Sequence, residues 1–206
     1  MKINVIIPTY KPDEKFERNL RMLRRQTLQP DRILIINTEE SLFHSKEFGK
    51  LPQGEIIHIK KSEFDHGGTR NRAAAMCDGD IIVLLTQDAI PADEYLLENL
   101  TKPFEDPEVC AAYGRQMADW KDNPVEAYTR TFNYPKESRI KSKEDLPVLG
   151  IKTFFCSNVC AAYRKSVYDA MGGFPLHTIF NEDMIFASRL IEAGKKIAYT
   201  ADAKVW

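Results

Sequence analysis

What most limits the fold is a series of short apolar runs, none able to extend into a helix. Residues 3–7, 33–36, 56–59 and 81–85 are rich in Ile, Val and Leu and bounded by polar or turn residues. Runs of four or five such residues read as strands buried on both faces. Residues 109–113 and 159–163 carry the same signal more weakly. Helical patterns lie between the runs. Phe16, Leu20 and Leu23 recur at i, i+4 and i+7, with Arg18, Arg21, Arg24 and Arg25 on the other faces. Thr69 is placed to cap a helix through residues 73–76. Residues 95–100 follow Asp93 and stop before Pro103, and residues 167–171 end at Gly172-Gly173. A last helix opens at Asn181-Glu182-Asp183 and closes at Gly194, before a strand near residues 197–199. Strand and helix alternate through the first half, which predicts an α/β fold with a mostly parallel central sheet flanked by helices.

At 206 residues the chain suits one large domain. Its 29 Lys and Arg against 30 Asp and Glu leave a net charge of -1, which argues against a dedicated nucleic-acid binder. No stretch approaches the length of a transmembrane helix, and the opening run is too short for a signal peptide. The expected compartment is cytoplasmic. Cys77, Cys110, Cys156 and Cys160 lack disulfide or metal spacing and read as buried thiols. Residues 119–149 hold three prolines, mixed charge and the aromatics Trp120, Tyr128, Phe132 and Tyr134, with poor periodicity. A surface excursion and an acceptor-binding segment both fit that composition. The chain stops at Trp206, directly after a strand, and reads as cut before a closing element.

Ligands of open α/β sheets bind beyond the carboxyl ends of the strands. Pro8-Thr9-Tyr10 follows the first run, Asn37-Thr38-Glu39-Glu40 the second, and Thr86-Gln87-Asp88 the fourth. Asp65-His66-Gly67-Gly68-Thr69-Arg70 comes a few residues after the third. The glycine pair suits a tight turn, or backbone N–H groups brought close to a phosphate or base. Asp88 suits a cap, or a hard divalent cation. His66 has no spaced ligand partner. Glu182 and Asp183 suit a helix start, where the dipole favours acids, and equally a general base.

In this order, the pieces resemble a family 2 glycosyltransferase with the GT-A fold, across essentially the whole chain. Residues 6–10 look like that family's opening strand and nucleotide-contacting turn. Residues 64–71 look like its nucleotide-binding loop, in the form of bacterial rhamnosyltransferases. Leu85-Thr86-Gln87-Asp88-Ala89 falls where the family carries a D-x-D metal motif, with Thr86 in place of the first Asp. Met171-Gly172-Gly173-Phe174 and Asn181-Glu182-Asp183 match its G-G-F turn and E-D motif. The position after the second strand, acidic in many members, is Asn37 here.

The resemblance implies inverting transfer of a sugar, rhamnose from dTDP-rhamnose, to a saccharide or lipid-linked acceptor in cell-surface polysaccharide synthesis. It implies Asp183 as the base beside Glu182, and Asp88 as the ligand of Mg²⁺ or Mn²⁺, with no organic cofactor. Donor contacts would come from Pro8, Thr9, Tyr10, Asn37, Asp65, Gly67, Gly68, Arg70, Gln87 and Asp88. Trp120 is the candidate for acceptor stacking. Residues 1–118 would form mainly the donor side, and residues 119–206 the acceptor side and the base. The arginine face of the first helix is a candidate contact with the cytoplasmic face of an inner membrane. Two other readings stay open. A sugar-phosphate nucleotidyltransferase would need a glycine-rich N-terminal loop with a following lysine, which the chain lacks. A non-catalytic nucleotide- or glycan-binding module would have no need of both Asp88 and Asp183.

Overall fold

The computed structural model describes residues 1–118 and 124–206. Eight strands form one sheet: β1 (Ile3–Tyr10), β2 (Arg32–Thr38), β3 (Gly54–Ile59), β4 (Ile81–Leu85), β5 (Val109–Gln116), β6 (Arg139–Lys141), β7 (Cys160–Arg164) and β8 (Lys196–Val205). Their order is β3-β2-β1-β4-β7-β5-β8-β6. The first four strands are parallel, and β5 is parallel to β8. The sheet is mostly parallel, as expected, with β7 antiparallel to both β4 and β5, and β6 antiparallel to β8. The reversal follows from the connections: β5 and β7 are joined by more than forty residues with no simple crossover helix.

The helices are α1 (Glu14–Leu23), α2 (His66–Ala75), α3 (Leu96–Thr101), α4 (Pro124–Asn133), α5 (Leu146–Leu149), α6 (Lys165–Ala170) and α7 (Glu182–Glu192). Alternation along each strand feeds two cores. Ile3, Val5 and Ile7 pack with Phe16, Leu20 and Leu23 of α1 and Leu97 and Leu100 of α3. Ile6, Leu34 and Leu84 pack with Ala73 and Ala74 of α2 and Phe186 and Leu190 of α7. Burial on both faces is why these strands read as unbroken apolar runs. All four cysteines are buried free thiols.

Three local expectations change. Asp65 caps α2 in place of Thr69: its carboxylate accepts from Gly68 N at 2.6 Å, and Thr69 lies inside the helix, where its hydroxyl accepts from Asp65 N at 3.2 Å. The glycine pair therefore sits in the first turn of α2, not in a loop before it. Between residues 119 and 149, where periodicity is poor, the structure places α4, β6 and α5. Trp120 lies outside the described residues.

Candidate active site

Because β7 runs backwards, its first residue Cys160 pairs with Leu85, the last of β4. The segment leading into β7 thus lies at the carboxyl edge of the parallel strands. Thr86 N donates to Val159 O at 3.1 Å, tying the turn after β4 to that segment. One residue earlier, Asn158 is 3% exposed and holds both acids at the start of α7. Its backbone N donates to Asp183 Oδ2 at 2.9 Å, and its Nδ2 donates to Glu182 Oε1 at 3.2 Å. Tyr163 in β7 fixes the amide from behind, donating to Asn158 Oδ1 at 2.9 Å.

The two acids have different surroundings. Glu182 is buried and faces Arg70 of α2 at 3.3 Å, both side chains under a tenth exposed. Arg70 also donates to His66 O at 2.8 Å. This guanidinium, expected as a donor contact, points inward to Glu182 and His66 O, and its Nε has no hydrogen-bond partner among the described residues. Asp183 accepts a second bond from Met184 N at 2.8 Å but faces no cation at pairing distance among the described residues. Burial pushes its carboxyl above the ordinary Asp range, aided by the negative charge of Glu182; the two backbone N–H groups and Arg70 oppose the rise. Asp183 lines a cavity of about 370 Å³ with Gln116, Thr129, Asn133, Tyr134, Ser157 and Met184 among its walls. A half-buried carboxylate opening on a cavity lined by hydroxyls and amides can accept a proton from a bound hydroxyl.

The other predicted residues gather at the same edge, several as structural supports. Thr9 and Asn37 face each other across β1 and β2, and Thr9 Oγ1 donates to Asn37 Oδ1 at 3.1 Å. Asn37 Nδ2 reaches Glu39 O and His58 Nδ1, both at 3.0 Å, so its side chain is already engaged. Gln87 clamps the end of β1, accepting from Tyr10 N at 2.9 Å and donating to Tyr10 O at 3.2 Å. Asn19 of α1 supports that turn from below by donating to Thr86 O at 3.2 Å. The ring of Tyr10 is exposed, with the Lys11 ammonium 5.2 Å from its centre. Pro8 lies within β1 itself.

Asp65 is half-buried, and its second oxygen accepts from His177 N at 3.1 Å. A Cβ on Gly67 would lie 2.0 Å from Pro175 O. The close approach that Gly67 permits is therefore to the chain's own segment after the Gly172-Gly173 turn. Asn71 holds that segment, donating to Phe174 O and accepting from Phe174 N, both at 2.9 Å.

Asp88 is exposed just beyond β4, and its carboxylate has no described hydrogen bond or ion pair. Among the described residues no three His, Cys, Asp or Glu side chains cluster as a metal cage. A lone hard carboxylate fits a cation whose remaining ligands are phosphate oxygens and water, not a closed protein site. Arg18, Arg21, Arg24 and Arg25 line a separate cavity of about 430 Å³ with Ile90, Pro91 and Trp206. Arg21 and Arg24 there pair with Glu47 at 3.9 and 3.1 Å. No described helix is long and apolar enough to cross a membrane.

Sequence reasoning missed Asn158, Tyr163 and the inward turn of Arg70. The acids lie 24 and 25 residues beyond Asn158, so no local pattern joins them.

Comparison with known proteins agrees with this architecture. The chain is 44% identical over 206 residues to the O-antigen chain rhamnosyltransferase RfbN of Salmonella typhimurium, covering all of this chain and 66% of that protein. It is 45% identical over 203 residues to WbaN, the O-antigen chain rhamnosyltransferase of Salmonella anatum, covering 98% and 64%. The chain thus spans just under two thirds of the length of these relatives. In structure it resembles a mannosyltransferase of Pyrobaculum calidifontis in complex with GDP-Man and Mn²⁺, with a TM-score of 0.71 at 18% identity over 99% of this chain and 56% of that one. Staphylococcus aureus TarS in complex with UDP-GlcNAc gives a TM-score of 0.69 at 14% identity, over 100% and 57%. Both likenesses are of fold. The model for glycosyl transferase family 2 matches residues 4–172, and the chain belongs to that family.

Proposed function

We propose that the chain is the catalytic part of an inverting rhamnosyltransferase, which moves rhamnose from dTDP-rhamnose to a hydroxyl of a saccharide in polysaccharide synthesis. The observation that carries this reading is Asp183: a half-buried carboxylate, its pKa raised by partial burial, held by two backbone N–H groups and opening on a polar cavity. Kinship with two rhamnosyltransferases supports the donor class. Family membership favours transfer over nucleotide-sugar formation.

In the proposed reaction the acceptor hydroxyl enters the cavity and gives its proton to a carboxylate oxygen of Asp183. The acceptor oxygen forms a bond to the anomeric carbon as the bond to the nucleoside diphosphate breaks, on the opposite face. Asn158 and Met184 aim the carboxylate through their N–H groups. Glu182, neutralised by Arg70, anchors the start of α7 to α2. Residues 1–118 supply the donor side, with the exposed ring of Tyr10 and the edge at Thr9, Asn37 and Asp65. Asp88 would hold Mg²⁺ or Mn²⁺, which neutralises the departing diphosphate when bound. The acceptor is carried on a lipid, and the arginine face of α1 meets an anionic membrane.

Calorimetric titration with dTDP-rhamnose and with UDP-sugars, with and without Mn²⁺, tests the donor. Asp183→Asn should abolish transfer and leave donor affinity intact. Near-normal turnover in that variant would remove Asp183 as the base. Asp88→Ala should bind donor with no response to Mn²⁺, and an unchanged metal response would remove Asp88 as the ligand.

A further inference from the structure

Next to the Asp183 cavity lies a second one, of about 180 Å³, and the two share Asn133 and Phe155. Arg139, Lys141 and Lys152 line the second cavity, and no carboxylate does. Lys141 is the unusual member. It is 3% exposed, on a strand where buried lysine is rare. Its ammonium donates to the carbonyls of Lys152 and Phe155 and lies 4.8 Å from the centre of the Tyr113 ring. No described carboxylate pairs with it. An ammonium has three N–H bonds, and two are used on those carbonyls. Burial lowers its pKa to about 8, helped by Arg139 and opposed by the more distant charge of Asp145.

Arg139 and Lys152 are exposed at the rim. Lys152 stacks on the ring of Phe132, 3.2 Å from its centre. The remaining wall is aromatic, from Tyr113 and Tyr199. Val148 and Ile151, beside the lining residues Leu149 and Lys152, are 80% and 69% exposed. A buried cation with no ion-pair partner among the described residues, two rim cations and an apolar border form a receptacle for an anion on an organic carrier.

We propose that this cavity is an anion subsite of the acceptor, taking a phosphate or diphosphate group at Lys141, Arg139 and Lys152 while the acceptor hydroxyl reaches Asp183. The proposal rests on the glycosyltransferase reading and adds to it the chemical class of group that flanks the accepting sugar.

Inorganic pyrophosphate is the probe, titrated calorimetrically into the wild-type chain and into Arg139→Ala/Lys152→Ala, which alters exposed residues only. Saturable binding is expected, weakened about tenfold or more in the double variant, since charge-assisted bonds to phosphate are each worth well over one kcal/mol. Asp88→Ala should bind pyrophosphate like wild type. Loss of binding in Asp88→Ala with none in the double variant would put the anion in the donor site and overturn the proposal. Absence of saturable binding would overturn it too. A second readout is the Lys141 ammonium, followed by NMR, whose pKa should rise when pyrophosphate is added; an unmoved titration overturns the assignment.

Phosphatidylcholine vesicles with and without phosphatidylglycerol separate the sources. Retention that needs the anionic lipid and fails in the double variant assigns the phosphate to a lipid headgroup. Pyrophosphate binding without such retention assigns it to a soluble phosphate ester. Donor titration of the same samples keeps the two readings apart. Donor binding without pyrophosphate binding removes only the subsite, and pyrophosphate binding without donor binding removes its link to the acceptor.

Discussion

Replacing Arg70 with Met decides between two roles for this residue. By its motif position, Arg70 is a donor contact. By its geometry, it is the counter-charge of buried Glu182, at 3.3 Å with side chains 8% and 7% exposed. At that separation and an effective dielectric of about 20, the attraction is about 5 kcal/mol. Removing one partner of a buried pair typically costs about 3–5 kcal/mol, because the other charge is left uncompensated. Glu182 would keep only the Asn158 amide. For a chain of this size that is a fall in Tm of roughly 6–20 °C. Glu182→Gln alone strands the arginine and should cost a similar amount. The double variant Arg70→Met/Glu182→Gln removes both charges and keeps an acceptor for Asn158. It should cost about 1–2 kcal/mol, mainly the lost bond to His66 O. The assay is a denaturant-unfolding cycle on the four proteins, with donor titration in parallel. Arg70→Met with wild-type stability and weakened donor binding would refute the ion-pair reading. So would a double variant as unstable as the two singles added.

Three further outcomes follow from the same geometry. Asn158→Ala removes the amide acceptor of the Tyr163 hydroxyl, leaving it Cys156 Sγ at 3.4 Å, and one bond to Glu182, a cost of about 1–3 kcal/mol, and should lower kcat more than it raises the donor KM; steady-state kinetics and a melt check both. Gly67→Ala puts a methyl group into Pro175 O and should cost about 1–3 kcal/mol in a melt, whereas Gly49→Ala, with open space at its Cβ, should be near neutral. A base must be ionised to act, and burial raises Asp183, so kcat/KM should fall with decreasing pH around a midpoint above the ~3.9 of an ordinary Asp; a pH–rate profile with its acid limb at or below that value contradicts the assignment.

The strands were legible where burial on two faces left no polar interruption, as in β1, β2 and β4. β6 was not: it is a three-residue edge strand with Arg139 and Ile140 exposed, so it has no apolar run to detect. α4 escaped for a related reason, since Ala127 is the only fully buried side chain described within its span. The α2 cap was misplaced by a sound local rule. Two glycines argue against helix at about 1 kcal/mol each, but Pro175 O occupies the space a Gly67 side chain would fill, and tertiary packing overrides propensity there. Of the candidate site, the strand-end residues were legible because they follow apolar runs, and the acids because they open a helix. What each side chain bonds to was not, because those partners come from other elements.

Asn158 shows most clearly why the site cannot be read one motif at a time. α2 and α7 meet at the Arg70–Glu182 pair, and Asn158, which belongs to neither helix, ties that pair to Asp183. Arg70 reaches Glu182, Glu182 shares Asn158 Nδ2, and Asn158 N holds Asp183. Arg70, Glu182 and Asn158 are buried and Asp183 half-buried, so the links carry the strength of polar contacts in low dielectric and the penalty of unsatisfied ones. A displacement of α2 would therefore act first on Glu182, and through Asn158 on the orientation of the Asp183 carboxylate. The two acids of the pair have different parts in this network: Glu182, paired with Arg70, fixes the first turn of α7, and its negative charge beside Asp183 helps hold that carboxyl above the ordinary carboxylate range.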